Sequence, residues 1–141
     1  MELGEYVEPA MVCSSLGLPD IYTIEHLREI STLRIRTRVS EMGTEWDEML
    51  IDYLNDTKEC SAVYFSKKEK DNLRLLNEYE RLRQSLMKEY GDGEESFSEN
   101  ASSMSCLWED KDTVLRLIIT NSGENKGFSL LLAFSDKVQT E

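Results

Sequence analysis

Leu75, Tyr79, Leu82, Leu86 and Tyr90 recur at steps of 4, 3, 4 and 4 residues, flanked by Leu76 and Met87. That spacing lays them along one stripe of an α-helix and is the strongest periodic signal in the chain. Ser66-Lys-Lys-Glu69 matches a capping box and sets the expected start at 66. Gly91 follows Tyr90 as a stop signal, and Lys88 suits the negative end of the helix dipole. An amphipathic helix over 66–90 must bury its stripe against a second layer, and the rest of the chain has to supply that layer.

The second half offers strands for it. Residues 113–120, TVLRLIIT, and 127–135, GFSLLLAFS, flank a Gly- and Asn-bearing connection and predict a hairpin with a loop longer than two residues. Leu115, Leu117, Ile119, Phe128, Leu130, Leu132 and Phe134 form one face of it. The opposite face carries Val114, Ile118, Leu131 and Ala133 beside Arg116 and Ser129, so it is far from polar. A half-buried hairpin alternates more cleanly. This hairpin is therefore either central with both faces covered, or its second face meets a partner. Cys106-Leu-Trp108 reads as a short strand. Residues 91–105 read as a mobile acidic loop rich in Gly, Ser and Glu.

In the first half, 1–19 reads as an irregular segment punctuated by Pro9, Gly17 and Pro19. Asp20 can cap a short helix over 21–31, with Ile24, Leu27 and Ile30 on one face. Residues 32–39, TLRIRTRV, alternate at strand period, with a continuous helix over 21–42 as the competing reading. Thr44-Glu-Trp-Asp47 opens an expected helix over 45–55, and 60–65, CSAVYF, reads as a strand. The expected architecture is a single α+β domain over 1–141. A mostly antiparallel sheet of four or five strands would pack against the 66–90 helix.

From the Tyr90-Gly91 step, through Trp108, to the Thr-led strand Thr113 to Thr120 and the last apolar strand, the second half resembles small bacterial domains of no assigned role. The resemblance implies an α+β fold, no activity and no functional residue.

Charge narrows the partners. The chain carries a net charge of -12, with a pI near 4.6. Residues 1–60 hold 13 acids and 5 bases, 61–90 hold 5 and 7, and 91–141 hold 10 and 4. A basic helical segment thus lies between two acidic arms. Nucleic acid would repel such a surface, unless the chain mimics DNA by presenting acids to a DNA-binding protein. The N-terminus MELGEYVEP lacks a signal peptide's basic and apolar regions, and no apolar run reaches membrane-span length, so a cytoplasmic protein without membrane contact is expected.

Catalytic motifs are missing from the sequence. Gly91-Asp-Gly93 lacks the rest of a phosphate loop, and metal-ligand spacings do not occur, so neither cofactor nor metal is expected. Asp92, Glu94, Glu95 and Glu99 do not follow the spacing of a calcium loop. Cys13, Cys60 and Cys106 are far apart and read as small buried hydrophobes rather than as reactive thiols. His26 is the single histidine, with no serine motif pointing to it.

Two basic clusters stand out as binding candidates. On a strand, Arg34, Arg36 and Arg38 would line one face about 7 Å apart, a ladder for carboxylates or phosphates; the competing account is pairing with this chain's own acids. Lys67, Lys68 and Lys70 sit at the expected helix start, where the dipole disfavours them; the competing account is a solvated edge beside acids. Asp71–Arg74, Glu78–Arg81 and Glu80–Arg83 stand three residues apart and account for much of the remaining helix charge. The expected function is a non-enzymatic, acidic protein-binding domain with an adaptor, inhibitor, immunity or chaperone-like role toward a basic partner. The alternatives are a self-associating structural protein such as a homodimer, and an enzyme with an anion site at Arg34/Arg36/Arg38.

Overall fold

The computed structural model describes residues 1–98, 102–121 and 127–137. Among these, the elements run α1 (Pro9–Ser15), β1 (Thr23–His26), β2 (Ile30–Ile35), β3 (Val39–Glu41), β4 (Thr44–Trp46), β5 (Glu48–Leu54), β6 (Cys60–Glu69), α2 (Asn72–Tyr90), β7 (Glu94–Phe97), β8 (Ser103–Glu109), β9 (Thr113–Asn121) and β10 (Phe128–Asp136). Eight strands form one antiparallel sheet in the order β1-β2-β5-β6-β10-β9-β8-β7, and β3–β4 is a separate hairpin. The fold is mostly β. This overturns the expected α+β sheet of four or five strands.

The sheet has two unlike faces. Registered pairs align Ile24, Leu33, Ile51, Val63, Phe134, Leu115 and Trp108 in one row across it. The next row holds Ile35, Met49, Phe65, Leu132, Leu117 and Cys106. These rows form the inner face. Against it lie Leu75, Tyr79, Leu82 and Leu86 of α2, which packs on β9 and β10. The β3–β4 hairpin joins the same side. Trp46 is fully buried, with its ring 5.9 Å from that of Phe65. Arg81 of α2 donates to Met42 O at 3.0 Å and to Thr44 Oγ1, tying the hairpin's turn to the helix. Val12 and Cys13 of α1 belong to the same core cluster.

Two expected helices are strands. The 21–31 helix is replaced by β1 and a turn into β2, with Thr23 paired to Arg34 and His26 to Ser31. Of its supposed apolar face only Ile24 packs against the core, while Leu27 is 60% exposed. The 45–55 helix is replaced by β4 and β5. Met49, Ile51 and Tyr53 point inward, while Leu50, Asp52 and Leu54 point outward. Leu50 and Leu54 made the outward set partly apolar, which hid the period of two behind an equally visible helical spacing.

Boundaries also move. The strand read at 60–65 runs on to Glu69, because β10 pairs with it from Phe128↔Glu69 to Ser135↔Ala62. The helix therefore starts at Asn72 rather than 66, and its cap is Asp71, whose carboxylate accepts from Leu73 N and Arg74 N. The loop expected over 91–105 contains β7 and the start of β8. Glu99 lies outside the described residues, as does the 122–126 stretch of the β9–β10 connection. Gly91 and Gly93 serve packing. Gly91 has φ +87 and its carbonyl accepts from Trp108 Nε1 at 2.9 Å. A Cβ on Gly93 would stand 2.5 Å from Cys106 Sγ and 2.7 Å from the Trp108 ring.

Burying one leucine of the α2 stripe stabilises by about 1.5–3 kcal/mol, and truncation also leaves a cavity. Leu82→Ala should cost about 2–5 kcal/mol in denaturant titration. An unchanged unfolding midpoint would contradict the α2–sheet packing.

Candidate functional site

The two basic clusters do not assemble into one site. Arg34 lies on β2 and points to the outer face, opposite the inward Leu33 and Ile35. The strand ends at Ile35, so Arg36 and Arg38 follow in the link to β3 and the three-rung ladder does not form. Arg36 Nε lies 3.9 Å from Glu48, and Arg38 Nη1 lies 3.5 Å from Glu45. Lys67 is turned inward on β6 and is 6% exposed. Its Nζ stands 2.7 Å from Glu78 Oε2 and 3.5 Å from Glu69 Oε1, so it joins β6 to α2. Lys68 is exposed, and its backbone N–H donates to Asp47 Oδ2 at 2.9 Å. Lys70 is exposed just beyond β6. The dipole conflict is gone for Lys67, since α2 begins five residues after it, whereas Lys70 still directly precedes the N-cap Asp71.

Both ends of the sheet carry acids and bases, with Lys58 and Lys111 in the same turns as Glu59 and Asp112, but the pairing differs between the ends. Where β2 and β6 finish and α2 begins, Arg36, Arg38, Lys67 and Arg74 each have a carboxylate partner. At the opposite end, β5, β8, β10 and α2 finish while β6, β7 and β9 begin. Turns from distant parts of the sequence bring Glu59, Asp92, Glu94, Glu109, Asp110, Asp112 and Asp136 there. Glu109 reaches Lys137 at 3.7 Å. Asp110 caps its own turn, accepting from Asp112 N and Thr113 N at 2.8 Å each, which lowers its pKa. Glu59, Asp92, Glu94, Asp112 and Asp136 form no salt bridge among the described residues. Burial raises the Asp136 carboxyl above its ordinary pKa, and the charges of Glu59 and Asp112 raise it further. A cavity of about 360 Å³ opens at this acidic end, with Asp92, Glu94, Glu109 and Asp110 around Tyr90, Trp108 and Leu107. A concave wall of carboxylates beside aromatic rings favours a cationic side chain, through ion pairing and cation–π contact.

Chemistry elsewhere is muted. All three cysteines are buried. Burial pushes Cys60 to about 11 and also raises Cys13 and Cys106, the opposite of what a nucleophilic thiolate requires. His26 does meet a serine: its Nδ1 lies 2.6 Å from Ser31 Oγ. Ser31 is fully buried, however, and donates its one proton to Asn55 Oδ1. Asn55 Nδ2 donates to Leu27 O at 3.0 Å and Arg28 O at 3.3 Å, which fixes the amide's orientation. The trio is a latch holding the β1–β2 turn to the end of β5, not a nucleophile and base. Glu94 and Glu95 project to opposite faces of β7, and Arg83 holds Glu95 at 2.9 Å. No group of three or more potential metal ligands occurs among the described residues. No described helix is long and apolar enough to cross a membrane.

Sequence reading placed acids in two arms but not at one pole. Glu59 and Asp112 precede β6 and β9 while Asp136 ends β10, and only the β6–β10–β9 pairing makes them neighbours. No spacing within the chain could reveal it. No protein-family model, curated protein or solved structure matches the chain.

Three substitutions check these electrostatics. Lys67→Met strips the cation from two largely shielded carboxylates and should destabilise by about 1–3 kcal/mol. Adding Glu78→Leu should recover part of that loss in a double-mutant cycle, because the closer stranded carboxylate is removed while Glu69 keeps Arg74 at 3.8 Å. At Asp136 the folded state holds its proton more tightly than the unfolded chain does. Its charge therefore destabilises at neutral pH, and the penalty is relieved as pH falls through the folded pKa. Asp136→Asn should raise the melting temperature at pH 7, with the gain shrinking toward zero in acid. A gain that persists in acid would assign the effect to something other than charge.

Proposed function

We propose that this chain is a non-enzymatic protein-binding domain whose acidic pole engages a basic protein, in an adaptor, inhibitor, immunity or chaperone-like role. One observation carries this reading. Arg36, Arg38, Lys67 and Arg74 at one end are matched to the chain's own acids, whereas Glu59, Asp92, Glu94, Asp112 and Asp136 converge at the other end with no salt bridge among the described residues. Holding like charges together opposes folding; at Asp136 burial raises the carboxyl most, and the charges of Glu59 and Asp112 add to it. A basic partner would relieve that repulsion and gain electrostatic steering.

The reading favours lysine- or arginine-rich surfaces over nucleic acid, which the pole would repel. A small-molecule anion site at Arg34/Arg36/Arg38 has less support, since Arg36 and Arg38 leave the strand and face their own glutamates.

Affinity capture from an extract of the source organism tests the reading. The immobilised protein should retain basic proteins at about 50 mM salt and release most of them at about 300 mM, as the Debye length shortens. Asp92→Asn/Glu94→Gln/Asp112→Asn/Asp136→Asn should lose the same set at low salt. Recovery of the same proteins in the same amounts under all three conditions would refute it.

A further inference from the structure

We propose that the outer face of the eight-stranded sheet is the contact surface between two copies of this chain. α2, the β3–β4 hairpin and α1 all join the core on the inner side, and no described element packs on the outer one. Yet the outer face is apolar at its centre. Leu50, Tyr64, Leu107, Ile118 and Leu131 project from it and are only partly buried, with the small Ala133 among them. The β9–β10 hairpin is central in the sheet, so its second apolar face is not an edge feature.

A second copy fits this face in area, shape and charge. Eight strands at about 4.8 Å span about 38 Å, and seven residues at about 3.3 Å span about 23 Å. Short edge strands trim the contact to about 800 Å² per copy, the size of a standard stable interface and about a tenth of the 9301 Å² accessible surface. The outer-face row reads Thr23, Arg34, Leu50, Tyr64, Ala133, Arg116, Leu107 and Glu94 from β1 to β7. A two-fold axis parallel to the strands reverses that order in the facing copy. β6 then lies over β10 of the other copy, setting bulky Tyr64 over small Ala133. β9 lies over β5, bringing Arg116 beside Glu48 and Asp52. β2 lies over β8, bringing Arg34 toward Glu94 at the neighbouring edge. Arg34 and Arg116 have no salt-bridge partner among the described residues of one copy. The face is thus self-complementary, as a two-fold contact must be. The acidic pole, better suited to a basic protein, stands at the strand ends beside this contact and shares Glu94 with it.

Sedimentation velocity from about 1 to about 500 µM reads the association directly, since a dimer's population follows concentration. The expected species is a dimer of two 16.3 kDa chains. It should persist at high salt, in contrast to binding of a basic partner. Leu131→Arg on the outer face should shift the association midpoint at least about tenfold toward monomer, with its circular dichroism melt confirming the fold. Phe97→Ser on the exposed edge strand β7 should leave the dimer intact. A wild-type chain that stays monomeric throughout, a dimer that dissociates with salt, or one broken by Phe97→Ser and not by Leu131→Arg would each overturn the proposal. None of these outcomes depends on whether the pole captures a basic protein.

Discussion

Everything in this fold depends on the pairing of β6 with β10. β1, β2, β5 and β6 form one antiparallel unit before α2, and β7 to β10 form another after it. Only the ladder from Phe128↔Glu69 to Ser135↔Ala62 makes them a single sheet. This contact joins residues 59 to 73 positions apart, and loop-closure entropy opposes it. What compensates is the apolar inner face that the ladder completes. Val63 and Phe65 meet Phe134 and Leu132 across it, and α2 can then cover the second unit while staying attached to the first.

The same ladder explains the buried Lys67. Because β10 extends β6 as far as Glu69, the residue opposite Leu130 must sit on the inner face, and that residue is a lysine. Ionised groups are removed from water only with close partners. Glu69 sits two residues along the same face and Glu78 faces it from α2, so cation and carboxylates are shielded as a set. In register terms the ion cluster disfavours slippage. Moving β6 by one residue would turn Lys67 outward and drive Lys68 into the core.

Legibility in the sequence followed the contrast between faces. The α2 stripe was readable because its opposite side is charged, and Leu75, Tyr79, Leu82 and Leu86 are all buried. The β9–β10 hairpin was readable because the chain reverses between two long β-rich runs. β5 was misread as helix because outward Leu50 blurred the alternation of Met49, Ile51 and Tyr53. β1 was misread because Ile24, Leu27 and Ile30 mimic a helical face although Leu27 sits in a turn. The Ser66–Glu69 capping pattern carried no weight against eight ladder pairs with β10. Of the candidate binding residues, Arg36, Arg38 and Lys67 face the chain's own carboxylates, a surplus that charge counting revealed without locating. The pole escaped notice because it is assembled by topology from turns that share no motif.

An apolar outer face and an acidic pole place opposed demands on a pair of chains. A two-fold axis parallel to the strands keeps the ends of both sheets at the same level, so the two poles come to the same side of the dimer. Each copy carries -12, and bringing the poles together adds repulsion. Two features limit that cost. Packed sheets stand about 10 Å apart, slightly more than the Debye length of about 8 Å at physiological salt, so repulsion between exposed carboxylates is largely screened. The contact itself mixes Arg34 and Arg116 with acids and adds little net charge. The poles would then form one broad acidic surface with two equivalent cavities, each lined by Tyr90, Trp108, Asp92 and Glu94. For a partner with repeated basic side chains, the second engagement becomes intramolecular once the first has formed. Repulsion tolerated within the pair then becomes attraction available to such a partner, because both arise from carboxylates that form no salt bridge among the described residues of one copy.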